Sequence, residues 1–104
     1  MKPIRLSADC PEHLCMVPDK VADNLRRYCF NFSNHWLLYS TNAEKYRTRS
    51  SYGEVLLGFG FDAFIEYLNF LYPDQPSTIV ASMIEIRENS DMYYEYLQAP
   101  SLDF

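Results

Sequence analysis

The sequence predicts an all-α domain, a small bundle of four or five helices, with an α+β domain carrying a C-terminal β-hairpin as the alternative. Three observations lead there. Apolar residues recur at three- and four-residue steps from Val21 to Trp36 and again from Phe64 to Tyr72, the spacing that gathers them on one side of a helix. The 104 residues are 48% hydrophobic, with one tryptophan, nine tyrosines and seven phenylalanines, enough apolar area for one folded core and too much for a disordered chain. No period of 20–50 residues and no low-complexity tract divides the chain, so residues 1–104 are expected to form a single domain.

The elements follow in order. Residues 1–17, with Pro3, Pro11 and two cysteines, are expected to be irregular. Asp19 is a candidate N-cap, because its side-chain oxygen can accept from an orphaned helix amide, and Val21, Leu25, Tyr28, Cys29, Phe32 and Trp36 form the apolar face that follows. Ser40-Thr41-Asn42 reads as a loop or cap, and the polar stretch 43–50 as a short helix or an exposed connection. Ser51-Tyr52-Gly53-Glu54 has the serine and glutamate spacing of a capping box, so a short helix is expected from there to Gly58 and Gly60. Asp62 can cap the next helix, whose apolar side is Phe64, Ile65, Leu68, Leu71 and Tyr72 and which Pro73 stops.

From Ser77 onward the pattern supports two readings. Ile79, Met83, Ile86, Tyr93 and Leu97 make an a/d-like helical stripe with Ser90 as its polar member, whereas β-branched Thr78, Ile79, Val80, Ile84 and Ile86 suit a strand. The helical reading leads, and Pro100 closes either one. The core is expected to hold Leu25, Phe32, Trp36, Leu56, Phe64, Leu68, Leu71 and Ile86.

Charge is divided unevenly along the chain. Residues 1–49 hold eight Lys/Arg against five Asp/Glu, a balance of +3, whereas residues 50–104 hold Arg87 alone against nine acids, a balance of −8, and together these give the net −5. Such a division steers encounter with charged partners. Lys45, Arg47 and Arg49 around Tyr46 are too few to overcome the negative charge of the whole, so direct nucleic-acid binding is not expected. Those cations could instead neutralise C-terminal acids, within the chain or in a homo-oligomer joined through its charge-complementary halves.

The candidate metal ligands are Cys10, His13, Cys15 and Cys29. Zinc takes four nitrogen or sulfur ligands, but structural sites pair them in two closely spaced knuckles, and Cys29 falls on an apolar helical face. Asp9 and Glu12 beside Cys10 also disfavour a reactive thiolate. No phosphate-cradling glycine loop, nucleophile elbow or zinc-protease helix is present, and neither catalysis nor a cofactor is expected. The most apolar segment, 55–72, is interrupted by Asp62, Glu66 and Asn69, which argues against a membrane span, and no signal peptide is read at the N-terminus. Three cysteines fit a reducing cytoplasm.

The leading functional expectation rests on the C-terminal acids and tyrosines. Glu85, Glu88, Asp91 and Glu95 recur at helical spacing, and Tyr94 among them offers apolar area with a polar handle. They read as the contact surface of a small acidic module that binds a basic or nucleic-acid-binding protein, in the manner of an inhibitor, immunity or anti-defence protein. A zinc-binding or cysteine-dependent domain centred on residues 10–29 is the alternative. Because Leu68 is bracketed by apolar neighbours one turn away on each side, Leu68→Ala should cost about 2–5 kcal/mol in urea melts, and a loss under about 0.5 kcal/mol would show the helix phase to be wrong.

Overall fold

The computed structural model describes residues 1–8, 11–88 and 90–104, and it replaces the all-α expectation with an α+β fold. The N-terminal segment is strand, not irregular chain. β1 (Lys2–Ser7) and β2 (His13–Val17) pair antiparallel, with Ile4 opposite Cys15 and Arg5 opposite Leu14. Successive side chains of a strand point to opposite faces, so Ile4, Leu6, Cys15 and Val17 enter one core while Leu14 enters another.

The helix expected to start at a cap on Asp19 is divided. α1 (Asp19–Asp23) begins behind Pro18, and Asp19 lies in its first turn, where it holds the N-terminal ammonium at 2.8 Å. Asn24, with φ −134° and ψ 39°, separates it from α2 (Leu25–Asn31). A π-helical turn, Phe32–Trp36, then carries α2 into α3 (Leu37–Tyr39). The wider turn brings Phe32, Trp36 and Leu37 all inward, although Trp36 and Leu37 are adjacent in sequence.

A 3₁₀ turn, Thr41–Tyr46, capped by the Ser40 hydroxyl, leads into a hairpin of β3 (Arg47–Arg49) and β4 (Val55–Leu57). The capping-box reading at Ser51 fails here. Ser50, not Ser51, accepts from the Tyr52 and Glu54 amides, and Gly53 adopts φ +82°, so the polar run closes a turn rather than opening a helix. Leu56 is consequently 49% exposed and leaves the expected core. The Arg47 guanidinium donates to the carbonyls of Leu37 and Ser40, both at 2.8 Å, which fastens the hairpin to the end of α3.

α4 (Phe61–Leu71) has the expected position and phase, with Phe64, Ile65 and Leu68 buried, but it is entered at Gly60 without a side-chain cap from Asp62. Its last turn turns outward, leaving Leu71 38% exposed and outside the core. Asn69 clamps the following loop by accepting from the Ser77 amide and donating to its carbonyl. Both readings of the C-terminal segment are then used in succession. β5 (Thr78–Ser82) is followed by α5 (Met83–Arg87) and α6 (Ser90–Tyr96), and the chain ends its regular structure with β6 (Ser101–Asp103).

The large sheet has the order β5-β2-β1-β6, so the two C-terminal strands occupy opposite edges instead of pairing with each other. β5 runs antiparallel to β2, and β6 parallel to β1. Arg5 secures the return of the chain by donating to the Ala99 carbonyl from Nε and Nη2. Helices α1 to α4 cover one face of the sheet around an aromatic cluster centred on Phe32. Its ring lies 5.3–5.8 Å from those of Phe64, Phe59, Tyr67, Trp36 and Phe104. The opposite face carries a smaller core of Leu14, Met83 and Ile86, with Ala81, Tyr93 and Tyr96 packed against it.

Glu66 on α4 accepts from Lys45 at 2.8 Å and from the Tyr46 hydroxyl. The Lys45 and Tyr46 hydrogen bonds hold its carboxyl below the usual carboxylate value of 4.5. A depressed folded-state value contributes stability above pH 4.5 and loses it as pH falls through the lowered value. Tyr46→Phe should therefore lower the urea midpoint at pH 7, and the gap from the wild type should narrow progressively as pH falls below 4.5. An unchanged gap would show that the hydroxyl does not act through the ionised Glu66.

Candidate acidic and aromatic interface

The five expected contact residues occupy the lobe that α5 and α6 form on the second face of the sheet. Ser82 opens it, its hydroxyl accepting from the Glu85 amide at 3.2 Å. The Ser82-Met83-Ile84-Glu85 spacing is the sequence signal of this helix start. The acids do not form one stripe on one helix as expected. Glu85 belongs to α5 and Glu88 follows it, whereas Asp91 and Glu95 lie one turn apart on α6.

All four carboxylates and Tyr94 are exposed. Tyr93 and Tyr96 turn inward onto Leu14, Met83 and Ile86, which leaves Tyr94, at 68% exposure, as the outward tyrosine of the lobe. Its ring meets that of Tyr93 edge-on at 5.9 Å, and the Arg87 guanidinium sits over the Tyr93 ring, 5.9 Å from its centroid. Ile84 stands beside them at 61% exposure, an apolar contact that charge patterning did not bring out. A cleft of about 340 Å³ borders the lobe, lined by Glu95, Tyr96, Lys2 and Asp23 among others.

The ion pairs among the described residues join the N-terminal amine to Asp19, Lys2 to Asp23, Arg5 to Glu12 and Lys45 to Glu66. None draws on Glu85, Glu88, Asp91 or Glu95. Lys45 does neutralise an acid of the C-terminal half, but it is Glu66, on the opposite side of the sheet from the lobe.

The alternative ligand set is dispersed where it is described. Cys10 lies outside the described residues. Cys15 is fully buried in the main core, and burial pushes its thiol up to about 12, so it is held neutral. Cys29 is half-buried on α2, where burial raises its thiol as well and a hydrogen bond with Ser33 opposes the shift. His13 Nδ1 lies 3.1 Å from the Pro11 carbonyl, and its ring packs 4.6 Å from that of Phe61. Among the described residues, no three or more His, Cys, Asp or Glu side chains gather as a metal site.

No family model matches the chain, and no curated protein or solved structure matches it. No helix among the described residues is long and apolar enough to cross a membrane.

The two described thiols differ in their cover, and this sets an order of reactivity. Under native conditions at pH 8, iodoacetamide should label Cys29 well before Cys15, with denaturant bringing Cys15 to the same rate. Tandem mass spectrometry of the labelled peptides reads both positions, and early native labelling at Cys15 would contradict its burial.

Proposed function

We propose that the chain is a small acidic protein-interaction module whose α5–α6 lobe binds a basic protein, a nucleic-acid-binding protein included. One observation carries this reading: four exposed carboxylates share the α5–α6 lobe with an exposed tyrosine, and among the described residues none of them is engaged by a cation of the same chain in an ion pair. Negative charge spread over the lobe accelerates encounter with a cationic surface. Tyr94 and Ile84 then supply apolar area that loses water on contact, which lengthens the life of the complex. The lobe's own core of Leu14, Met83 and Ile86 holds these groups on packed helices, so binding does not require the surface to order itself.

A module of this kind acts by covering the cationic surface that its partner uses for another ligand, which fits the inhibitor, immunity and anti-defence settings. The reading assigns it no reaction and no cofactor. Free thiols at Cys15 and Cys29 suit a reducing cytoplasm.

The test begins with the tagged full chain as bait in a lysate of its source cell, run beside the Glu88→Lys/Asp91→Lys variant, followed by binding kinetics on a protein that only the wild type retains. The double variant should slow association about tenfold and flatten its dependence on salt, while Tyr94→Ala should raise the dissociation rate about tenfold, equivalent to about 1.4 kcal/mol. Binding indifferent to both changes overturns the proposal. So does loss of the circular dichroism spectrum in the charge-reversed variant, because the acids would then be serving the fold.

A further inference from the structure

Residues 24–43 form the longest stretch of the chain without a carboxylate. From Leu25 to Tyr39 this stretch runs through α2, the π turn and α3 without a break. Leu25, Phe32, Trp36 and Leu37 are buried on its inward side, whereas Arg26, Phe30, His35 and Tyr39 are exposed. Arg26 stands one α-turn before Phe30, and His35 one α-turn before Tyr39. Phe30 and His35 are five residues apart, a step that in an unbroken α-helix would rotate them away from each other by about 140°. The π turn absorbs the extra residue, and the two rings meet edge-on at 6.4 Å. The inserted turn therefore aligns Arg26, Phe30, His35 and Tyr39 in one outward stripe, with Phe30 60% and Tyr39 76% exposed.

Neighbouring acids do not cancel the charge at the head of this stripe. Arg26 and Arg27 make no ion pair among the described residues. On α1, Asp19 is held by the N-terminal amine and Asp23 by Lys2. Glu44, beyond α3, shares a surface depression with Arg49, and Asp74 shares a cleft with Lys20. On α4, Glu66 is held by Lys45, while Asp62 acts on Tyr46, which packs on the inward Trp36. What covers the stripe must bring negative charge to two arginines and accept Phe30, Leu38 and Tyr39 out of water. These side chains project from a helix instead of lining a groove, so a folded partner would have to supply a matching trough. The headgroup region of a bilayer yields to a projecting face, takes aromatic rings at its boundary and carries negative charge where anionic lipids are present.

We infer that the protein lies on anionic bilayer surfaces through this stripe, with Arg26 and Arg27 on the charged headgroups and Phe30, Leu38 and Tyr39 at the acyl boundary. The acidic lobe packs on the other face of the large sheet through Leu14, so it points away from the lipid. Its repulsion from the surface is screened over about 8–10 Å at physiological ionic strength. A basic partner therefore still reaches the lobe of a lipid-bound molecule, and the inference stands apart from the proposed function.

Co-sedimentation of the full chain with phosphatidylcholine vesicles, with and without about one-third phosphatidylserine, tests this at low and high salt. The protein should stay in solution with neutral vesicles, bind the anionic ones and be released by salt. Arg26→Glu/Arg27→Glu should lower partitioning onto anionic vesicles at least about tenfold, and Phe30→Ser/Tyr39→Ser about tenfold, with unchanged circular dichroism. Should the charge reversal disturb the fold, Arg26→Gln/Arg27→Gln reads the same loss. Glu88→Lys/Asp91→Lys, on the far side of the sheet, should bind at least as well as the wild type. Absence of binding to anionic vesicles at low salt overturns the inference, and so does binding that either stripe variant leaves unchanged. Binding lost only in Leu56→Asp also overturns it, because the hairpin would then be the lipid contact. Retention on polyglutamate beads without vesicle binding overturns it in favour of an acidic protein on the same stripe, while the kinetics of the basic partner on the lobe decide the proposed function separately.

Discussion

The fold depends on the contacts of one ring. Phe32 is completely buried in the π-helical turn, stacked on Trp36 and edge-on to Phe59, Phe64 and Phe104, which come from the loop before α4, from α4 and from the residue after β6. Rings arranged edge to face gain from their opposed quadrupoles as well as from burial. Through these contacts the helical layer and the C-terminal segment of the chain are held to a common centre. The sheet can then be short, because its strands are positioned by what packs on them as much as by their own hydrogen bonds.

A sheet with cores on both faces lets a small domain separate its tasks. The larger core stabilises, while the smaller one of Leu14, Met83 and Ile86 supports a lobe whose outer surface is polar and acidic. Arg5 ties the lobe to the sheet, lying opposite Leu14 and donating to the Ala99 carbonyl beyond α6. The charge division in the sequence thus corresponds partly to a division in space. The acids at 85, 88, 91 and 95 gather on the lobe, but Glu66 remains with the main core and takes Lys45 there.

Periodicity made α4 legible, including the burial of Phe64, Ile65 and Leu68, because an eleven-residue helix repeats its apolar spacing three times. It also found the inward face from Val21 to Trp36, though not the break at Asn24 or the π turn, neither of which alters spacing enough to be seen. The strands were missed for a different reason. Lys2-Pro3-Ile4-Arg5-Leu6 alternates with period two, but prolines and cysteines nearby suggested loop, and a five-residue strand repeats its signal too few times to outweigh them. At Ser50 to Glu54 the hydroxyl-to-amide chemistry that caps helices closes a turn instead, and it comes from Ser50, one residue before the serine of the expected capping box. The acidic lobe was legible as residues. What the sequence did not show is that Met83 and Ile86 of α5 and Tyr93 and Tyr96 of α6 pack on Leu14, a long-range contact that only the sheet brings about.

The parallel pairing of β6 with β1 has a consequence for how the chain is made. Ser7 and Asp103, whose side chains are hydrogen-bonded, stand 96 residues apart. At the usual pace of synthesis of about 5–20 residues per second, the β1 edge leaves the ribosome roughly 5–20 seconds before its neighbour does. Through that interval β2 can pair with β1, but the other side of β1 presents open backbone groups to the cell. The nascent domain therefore passes through a stage with an unguarded strand edge and an aromatic cluster still lacking Phe104, the stage at which a chaperone or a second nascent copy would find it most receptive.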